Sequence, residues 1–191
     1  MINFDNVDDY VVTDNFMPKA FCEEYIEKIT KHKWEKHVWT QHDKPDEFFS
    51  RENEELDVLD IQGELHELLS PYVFQAINNY QSKFQTPEMK VQAVPIGQYS
   101  TPRLNRYSKG QGMAKHQDHI SSLFKNWEGI PVLSIVGVFN DDYEGGNFML
   151  RDKKIDLKTG DILMFPSLFI YTHEVTLVTK GVRHSFVSWA Y

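Results

Sequence analysis

A single cysteine, Cys22, in 191 residues excludes an internal disulfide framework and any all-cysteine metal site. No apolar run approaches the ~20 residues that span a bilayer, and the acidic start "MINFDNVDDYVV" lacks both a basic and an apolar leader segment. There is no basic tract: 20 basic against 28 acidic residues leave a net charge of -8, which disfavours sequence-independent binding to nucleic-acid phosphates or anionic membranes. Repeats of 20–50 residues and low-complexity segments are also missing. These absences predict a soluble, cytoplasmic protein of one domain over residues 1–191, and a hydrophobic content of 41% suffices for an ordinary core.

Two characters divide the chain. Residues 1–88 read as a mainly helical support. In "PKAFCEEYIEKITK", Pro18 suits a first turn, and Phe21, Cys22, Tyr25, Ile26 and Ile29 recur on one face. From Ile61 to Phe84 the apolar positions keep the same period across "SP", where Ser70 could cap and Pro71 begin a second helix, so one kinked helix and two short ones both fit. Between them residues 39–57 are polar without a stable period and read as an exposed loop.

Residues 89–191 form the second character, with nine short β-rich runs separated by turn residues. The candidates are "VQAVPI", "RLNRY", "AKHQDHI", "VLSIVGVF", "NFMLR", "KKIDL", "DILMF", "YTHEVTLV" and "RHSFVSWA". "DDYEGG" and "KTGD" read as turns, with Gly145 and Gly146 as turn formers. No helical pattern lies between the runs. The expected fold class is α+β, an antiparallel jelly roll with N-terminal helices packed outside.

The chemistry begins at "AKHQDHI". A strand sends alternate side chains to one face, so His116 and Asp118 share a face while His119 points away. A third ligand is offered by His173. If "TKG" is a three-residue hairpin loop, Val175 faces Ser185, His173 faces Val187, and His173, Arg183, Ser185 and Trp189 share a face; a two-residue turn breaks that parity. His184 falls on the opposite parity, as a surface or supporting residue. Two histidines and a carboxylate make a facial triad that suits Fe(II) or Mn(II), and zinc would bind it too. The fixed charge of Arg183 suits the far end of a dicarboxylate held by such a metal.

The ordered set "RYSKGQGMAKHQD", "DDYEGGNFML", "GDILMFPS" and "HEVTLVTKGVRHS" resembles the 2-oxoglutarate/Fe(II)-dependent dioxygenases of the prolyl 4-hydroxylase type. The resemblance implies a double-stranded β-helix core. It also implies that His116, Asp118 and His173 bind Fe(II), and that Arg183, helped by Tyr107 and Ser185, holds the distal carboxylate of 2-oxoglutarate. Trp189 would border the substrate pocket. The implied reaction uses O₂, with ascorbate as accessory reductant, and hydroxylates an unactivated C–H of a prolyl residue in a peptide or protein, releasing succinate and CO₂. A free amino acid or other small molecule is the rival substrate, and a non-catalytic metal-binding jelly roll the rival class. Cupins typically offer H-x-H with a glutamate, which this chain lacks. Related nucleic-acid demethylases usually carry a basic surface.

Overall fold

The computed structural model describes residues 6–41, 44–51, 54–84, 96, 98–118 and 131–191. After strand β1 (Val12–Asn15) comes helix α1 (Lys19–Ile29), followed by strands β2 (Glu35–Lys36), β3 (Trp39–Gln41), β4 (Lys44–Phe49) and β5 (Asp57–Asp60). Helix α2 (Glu64–Phe84) leads into β6 (Arg103–Tyr107), β7 (Met113–His116), β8 (Leu133–Val138) and β9 (Glu144–Gly145). The chain ends through β10 (Phe148–Leu150), β11 (Lys153–Ile155), β12 (Asp161–Pro166), β13 (His173–Val175), β14 (Val178–Lys180) and β15 (Arg183–Ala190).

A seven-stranded sheet in the order β1-β12-β8-β15-β6-β5-β2 and a four-stranded sheet in the order β11-β10-β13-β7 form the barrel of a double-stranded β-helix. Alternation along β12 shows how one sheet serves two cores. Ile162 and Met164 face the helices, while Leu163 and Phe165 face the second sheet. Every one of these four is buried, which is why "DILMF" reads as a continuous apolar run. The inner core, with Tyr107, Met113, Val136, Phe148 and Val175, surrounds the site.

On the outer side, α1 buries Cys22, Tyr25 and Ile29. The Tyr25 hydroxyl donates to the Leu65 carbonyl at 2.8 Å, tying α1 to α2. Helix α2 runs through Pro71 as one element. Its buried stripe of Leu65, Leu69, Val73, Ala76, Ile77 and Tyr80 is continuous across the proline, so tertiary burial outweighs the lost backbone donor. No helix among the described residues is long and apolar enough to cross a membrane.

Three sequence expectations are corrected. Residues 39–57, read as an exposed loop, contain β3 and β4, paired antiparallel with Trp39 opposite Phe49, and the first residue of β5. The expected hairpin between the His173 and Arg183 strands does not form: β13 pairs with β10 and β7, whereas β15 pairs with β6 and β8. "YTHEVTLV" is two strands, because the chain leaves the four-stranded sheet after Val175 and Val178–Lys180 pairs with β9 instead. The candidate strand at 91–96 lies outside the described residues except for Ile96, which is not in a strand.

Candidate active site

β7 ends at His116, and Asp118 sits in the bend that follows. His173 opens β13 directly opposite His116 in the ladder. The two imidazoles therefore come together as cross-strand neighbours, with ring centres 4.2 Å apart, and Asp118 reaches both: Nε2 of His116 lies 3.7 Å from Oδ1 and Nε2 of His173 lies 3.7 Å from Oδ2. One donor atom from each residue falls within 4.8 Å of the others.

The surroundings fix these groups in a metal-binding state. Nδ1 of His116 lies 2.7 Å from the Ala114 carbonyl and Nδ1 of His173 lies 3.1 Å from that of Tyr171. Each carbonyl requires a proton on Nδ1, which leaves the Nε2 lone pair for a cation. Burial, reinforced by the neighbouring His173, lowers the His116 pKa to about 4, so its ring is neutral near pH 7. For Asp118, burial alone would raise the pKa. The nearby His173 and His116, with hydrogen bonds from Ser134 and Trp189, outweigh it and hold the carboxyl ionised. The Ser134 hydroxyl donates to Asp118 Oδ2 at 2.7 Å, and since it has one proton to give, Ser167 at 2.7 Å donates to Ser134. Two imidazole nitrogens with a hard carboxylate fit Fe(II).

Arg183 begins β15 and is 1% exposed. Its Nη1 donates to Ser185 Oγ at 2.6 Å, while Nε and Nη2, the two donors of one guanidinium edge, are buried without a hydrogen-bond partner. No carboxylate pairs with it among the described residues. A buried guanidinium with an open two-donor edge fits a carboxylate bound bidentately. Tyr107, opposite Arg183 in the β15–β6 ladder, lies under the guanidinium. Close backbone approach completes the corner. Gly146 has φ +56°, and a Cβ there would come within 3.3 Å of the Arg183 Cδ and 2.9 Å of the Val178 side chain, so this glycine makes room for the arginine besides turning the chain.

Arg183, Ser185, Val187 and Trp189 do share a face, as the alternation requires, and line with the triad a narrow cavity between the sheets. They meet His173 across the barrel, not along a hairpin. Trp189 does more than border the cavity, because its side chain hydrogen-bonds to Asp118. His184 lies on the outer face as expected but is buried there, not at the surface: its Nδ1 has no partner, its ring meets Trp34 edge-on at 6.3 Å, and burial lowers its pKa to about 4. His119 lies outside the described residues.

Sequence reasoning missed a cluster beside His116. Glu55, 0% exposed, receives Nε1 of Trp39 at 2.8 Å and Nε of Arg51 at 3.3 Å, and Nδ1 of His37 lies 3.1 Å away. Trp39 in turn meets the His116 ring edge-on, centres 5.4 Å apart. Arg51 also donates to the Gly112 carbonyl at 3.1 Å, stitching the N-terminal segment to the approach of β7. Nothing in "SRENEELD" distinguishes Glu55 from its solvated neighbours. Arg103 was also passed over, although its place in "RLNRY" puts it on the inward face with Tyr107.

Residues 102–191 match the family model of the 2OG-Fe(II) oxygenase superfamily. The matched segment contains all seven residues singled out from the sequence, from Tyr107 to Trp189. A PKHD-type hydroxylase of Burkholderia ambifaria is 29% identical over 108 residues, covering 52% of this chain and 46% of the relative. One from Methylobacillus flagellatus is 32% identical over 96 residues, covering 46% and 41%. The chain thus spans less than half the length of these curated relatives. Among solved structures, a Pseudomonas putida prolyl-4-hydroxylase superposes with a TM-score of 0.64 at 16% identity, covering 96% of both chains. A prolyl hydroxylase from Trichoplax adhaerens, in complex with a hypoxia inducible factor peptide fragment, gives 0.67 at 14%, covering 95% of this chain and 83% of that one. At such identities the likeness is one of fold.

Proposed function

We propose that this chain is an Fe(II)- and 2-oxoglutarate-dependent dioxygenase that hydroxylates an unactivated C–H of a prolyl residue in a peptide or protein. The observation that carries the reading is the pairing of a two-histidine, one-carboxylate triad with the open guanidinium edge of Arg183 in one cavity. His116, Asp118 and His173 would hold the iron. Arg183, with Ser185 and Tyr107 around it, would hold the distal carboxylate of 2-oxoglutarate. When bound, the iron and co-substrate supply the oxidising chemistry in which 2-oxoglutarate, O₂ and R–H become succinate, CO₂ and R–OH, with ascorbate as accessory reductant.

The protein's own part is positional. The two Nδ1 contacts and the Ser134 and Trp189 bonds hold the ligands in one orientation before metal arrives. The apolar walls Met113, Val136, Phe148 and Val175 keep water from the reacting carbon. Peptide as substrate is supported by the bound peptide of the Trichoplax neighbour. We read residues 1–191 as one catalytic unit in which residues 1–88 supply three strands of the larger sheet and the helices packed on it.

The test is succinate formation from 2-oxoglutarate by iron-loaded protein under air, with prolyl peptides and free amino acids screened side by side. Stimulation by a prolyl peptide with a gain of about 16 Da is expected. Stimulation by free amino acids alone would replace the peptide by a small molecule, and no succinate under any condition would leave a non-catalytic metal-binding protein.

A further inference from the structure

The cavity holds a second guanidinium. Arg103 opens β6, and the ladder puts it opposite Val187 of β15 and Asp60 of β5, so it shares the inward face with Asn105 and Tyr107. It lines the same cavity as the triad. Its Nε donates to Asn105 Oδ1 at 3.3 Å, and its guanidinium carbon stands 5.7 Å from the centre of the Trp189 ring, the ring that hydrogen-bonds to Asp118. Arg103 therefore flanks the metal end of the cavity. Tyr107, beside Arg183, is four residues away along the strand, about 13 Å at 3.3 Å per residue.

No carboxylate forms an ion pair with Arg103 among the described residues. Asp60, its ladder partner, is exposed and stays beyond ion-pair distance, whereas the other arginine of this strand, Arg106, is paired on the outer face with Asp57 at 3.0 Å. The partly exposed guanidinium makes one side-chain hydrogen bond, to a neutral amide, and faces an indole ring, so its remaining donors can meet an anion in the cavity. The chain as a whole carries a net charge of -8, so a general attraction for anions does not explain such a group. With Arg183 assigned to the distal carboxylate of the co-substrate, the Arg103 guanidinium at the Trp189 end is a second cation without an ion-pair partner among the described residues.

We infer that Arg103 selects the substrate by binding a carboxylate close to the carbon that is hydroxylated. The inference rests on the dioxygenase reading and deepens it. Two sources share this chemistry, the α-carboxylate of a free amino acid and an acidic side chain beside a prolyl residue. Burial lowers the pKa of the Arg103 guanidinium, with Tyr107, Asp60 and Asp118 acting in the opposite sense.

The experiment compares matched carboxylate and carboxamide compounds: L-proline with L-prolinamide, acetyl-Glu-Pro-Ala-amide with its Gln counterpart, and acetyl-Ala-Pro-Glu-amide with its Gln counterpart. Calorimetric binding to protein holding Fe(II) and 2-oxoglutarate without O₂ is the first readout, and succinate formation under air the second. In at least one pair the carboxylate member should bind about tenfold or more tightly, and which pair it is identifies the source. Arg103→Gln should erase the preference, Arg103→Lys should keep part of it, and both should retain the wild-type dissociation constants for Fe(II) and 2-oxoglutarate and the wild-type melting temperature. Three results overturn the assignment: no carboxylate preference in any pair, a preference that survives Arg103→Gln, or a tenfold weaker 2-oxoglutarate affinity in Arg103→Gln, which would give Arg103 to the co-substrate. Succinate formed by wild-type protein without any carboxylate preference removes the role of Arg103 alone. Absence of succinate throughout removes the dioxygenase reading itself.

Discussion

The guanidinium carbon of Arg183 lies 5.0 Å from the centre of the Tyr107 ring, its partner across the β15–β6 ladder, and this stacking leaves the Nε–Nη2 edge free to meet a carboxylate. Removing the guanidinium would leave a bound carboxylate buried without its partner, at a cost of about 2–5 kcal/mol. Arg183→Ala should therefore raise the apparent KM for 2-oxoglutarate by tens of fold or more while Fe(II) binding persists. An unchanged KM in steady-state succinate assays would put the co-substrate elsewhere.

The triad makes a stricter demand. His116→Ala, Asp118→Ala and His173→Ala should each abolish 2-oxoglutarate consumption, since each removes one of three protein ligands. Wild-type protein should bind one Fe(II) per chain by equilibrium dialysis. Full turnover by His173→Ala without added imidazole would rule out the site as described.

Ser134 and Trp189 act on the metal through Asp118. Ser134→Ala removes the 2.7 Å bond to Oδ2 and should weaken Fe(II) affinity by about tenfold to a hundredfold. Trp189→Phe keeps most of the ring but loses its hydrogen bond, and should weaken iron binding in the same sense. Because both bonds favour ionised Asp118, the pH at which iron is released should move upward in each variant. Iron titration between pH 4 and 8 checks it.

Glu55 ties the fold to pH. Burial alone would raise its pKa, but hydrogen bonds from His37 and Trp39 and the charge of Arg51 bring it from 4.5 to about 2. A carboxyl depressed in the folded state stabilises it above the unfolded pKa, and that stabilisation, about 3 kcal/mol at most, is lost as pH falls from about 4.5 through about 2. Glu55→Gln should be less stable than wild type in urea at pH 7, and the difference should shrink across that window. A gap that is constant between pH 7 and pH 3 would show that the ionised form is not what matters.

Much of the barrel was legible in the chain. "RLNRY" and "RHSFVSWA" coincide with β6 and β15, because strand-forming residues bounded by turn residues are local signals. The same alternation put Arg183, Ser185 and Trp189 on one face, and the His-x-Asp spacing with a distal histidine pointed to the triad. What local pattern does not carry is the identity of the sheet a strand joins. The hairpin expected between β13 and β15 fitted the alternation with a three-residue loop and is still absent, since β13 gains two partners, β10 and β7, in the opposite sheet.

By itself, then, the sequence determined which residues face inward along each strand, because side-chain direction follows from a backbone period of two. Only the tertiary structure decided which inward faces meet. It set His173 opposite His116 in one ladder, Arg183 opposite Tyr107 in another, and brought Glu55 from an acidic stretch to a buried junction with His37, Trp39 and Arg51. The charge on Glu55 is the same in the loop and in the cluster. Its role depends on long-range neighbours and the loss of water, and neither leaves a mark in the local pattern.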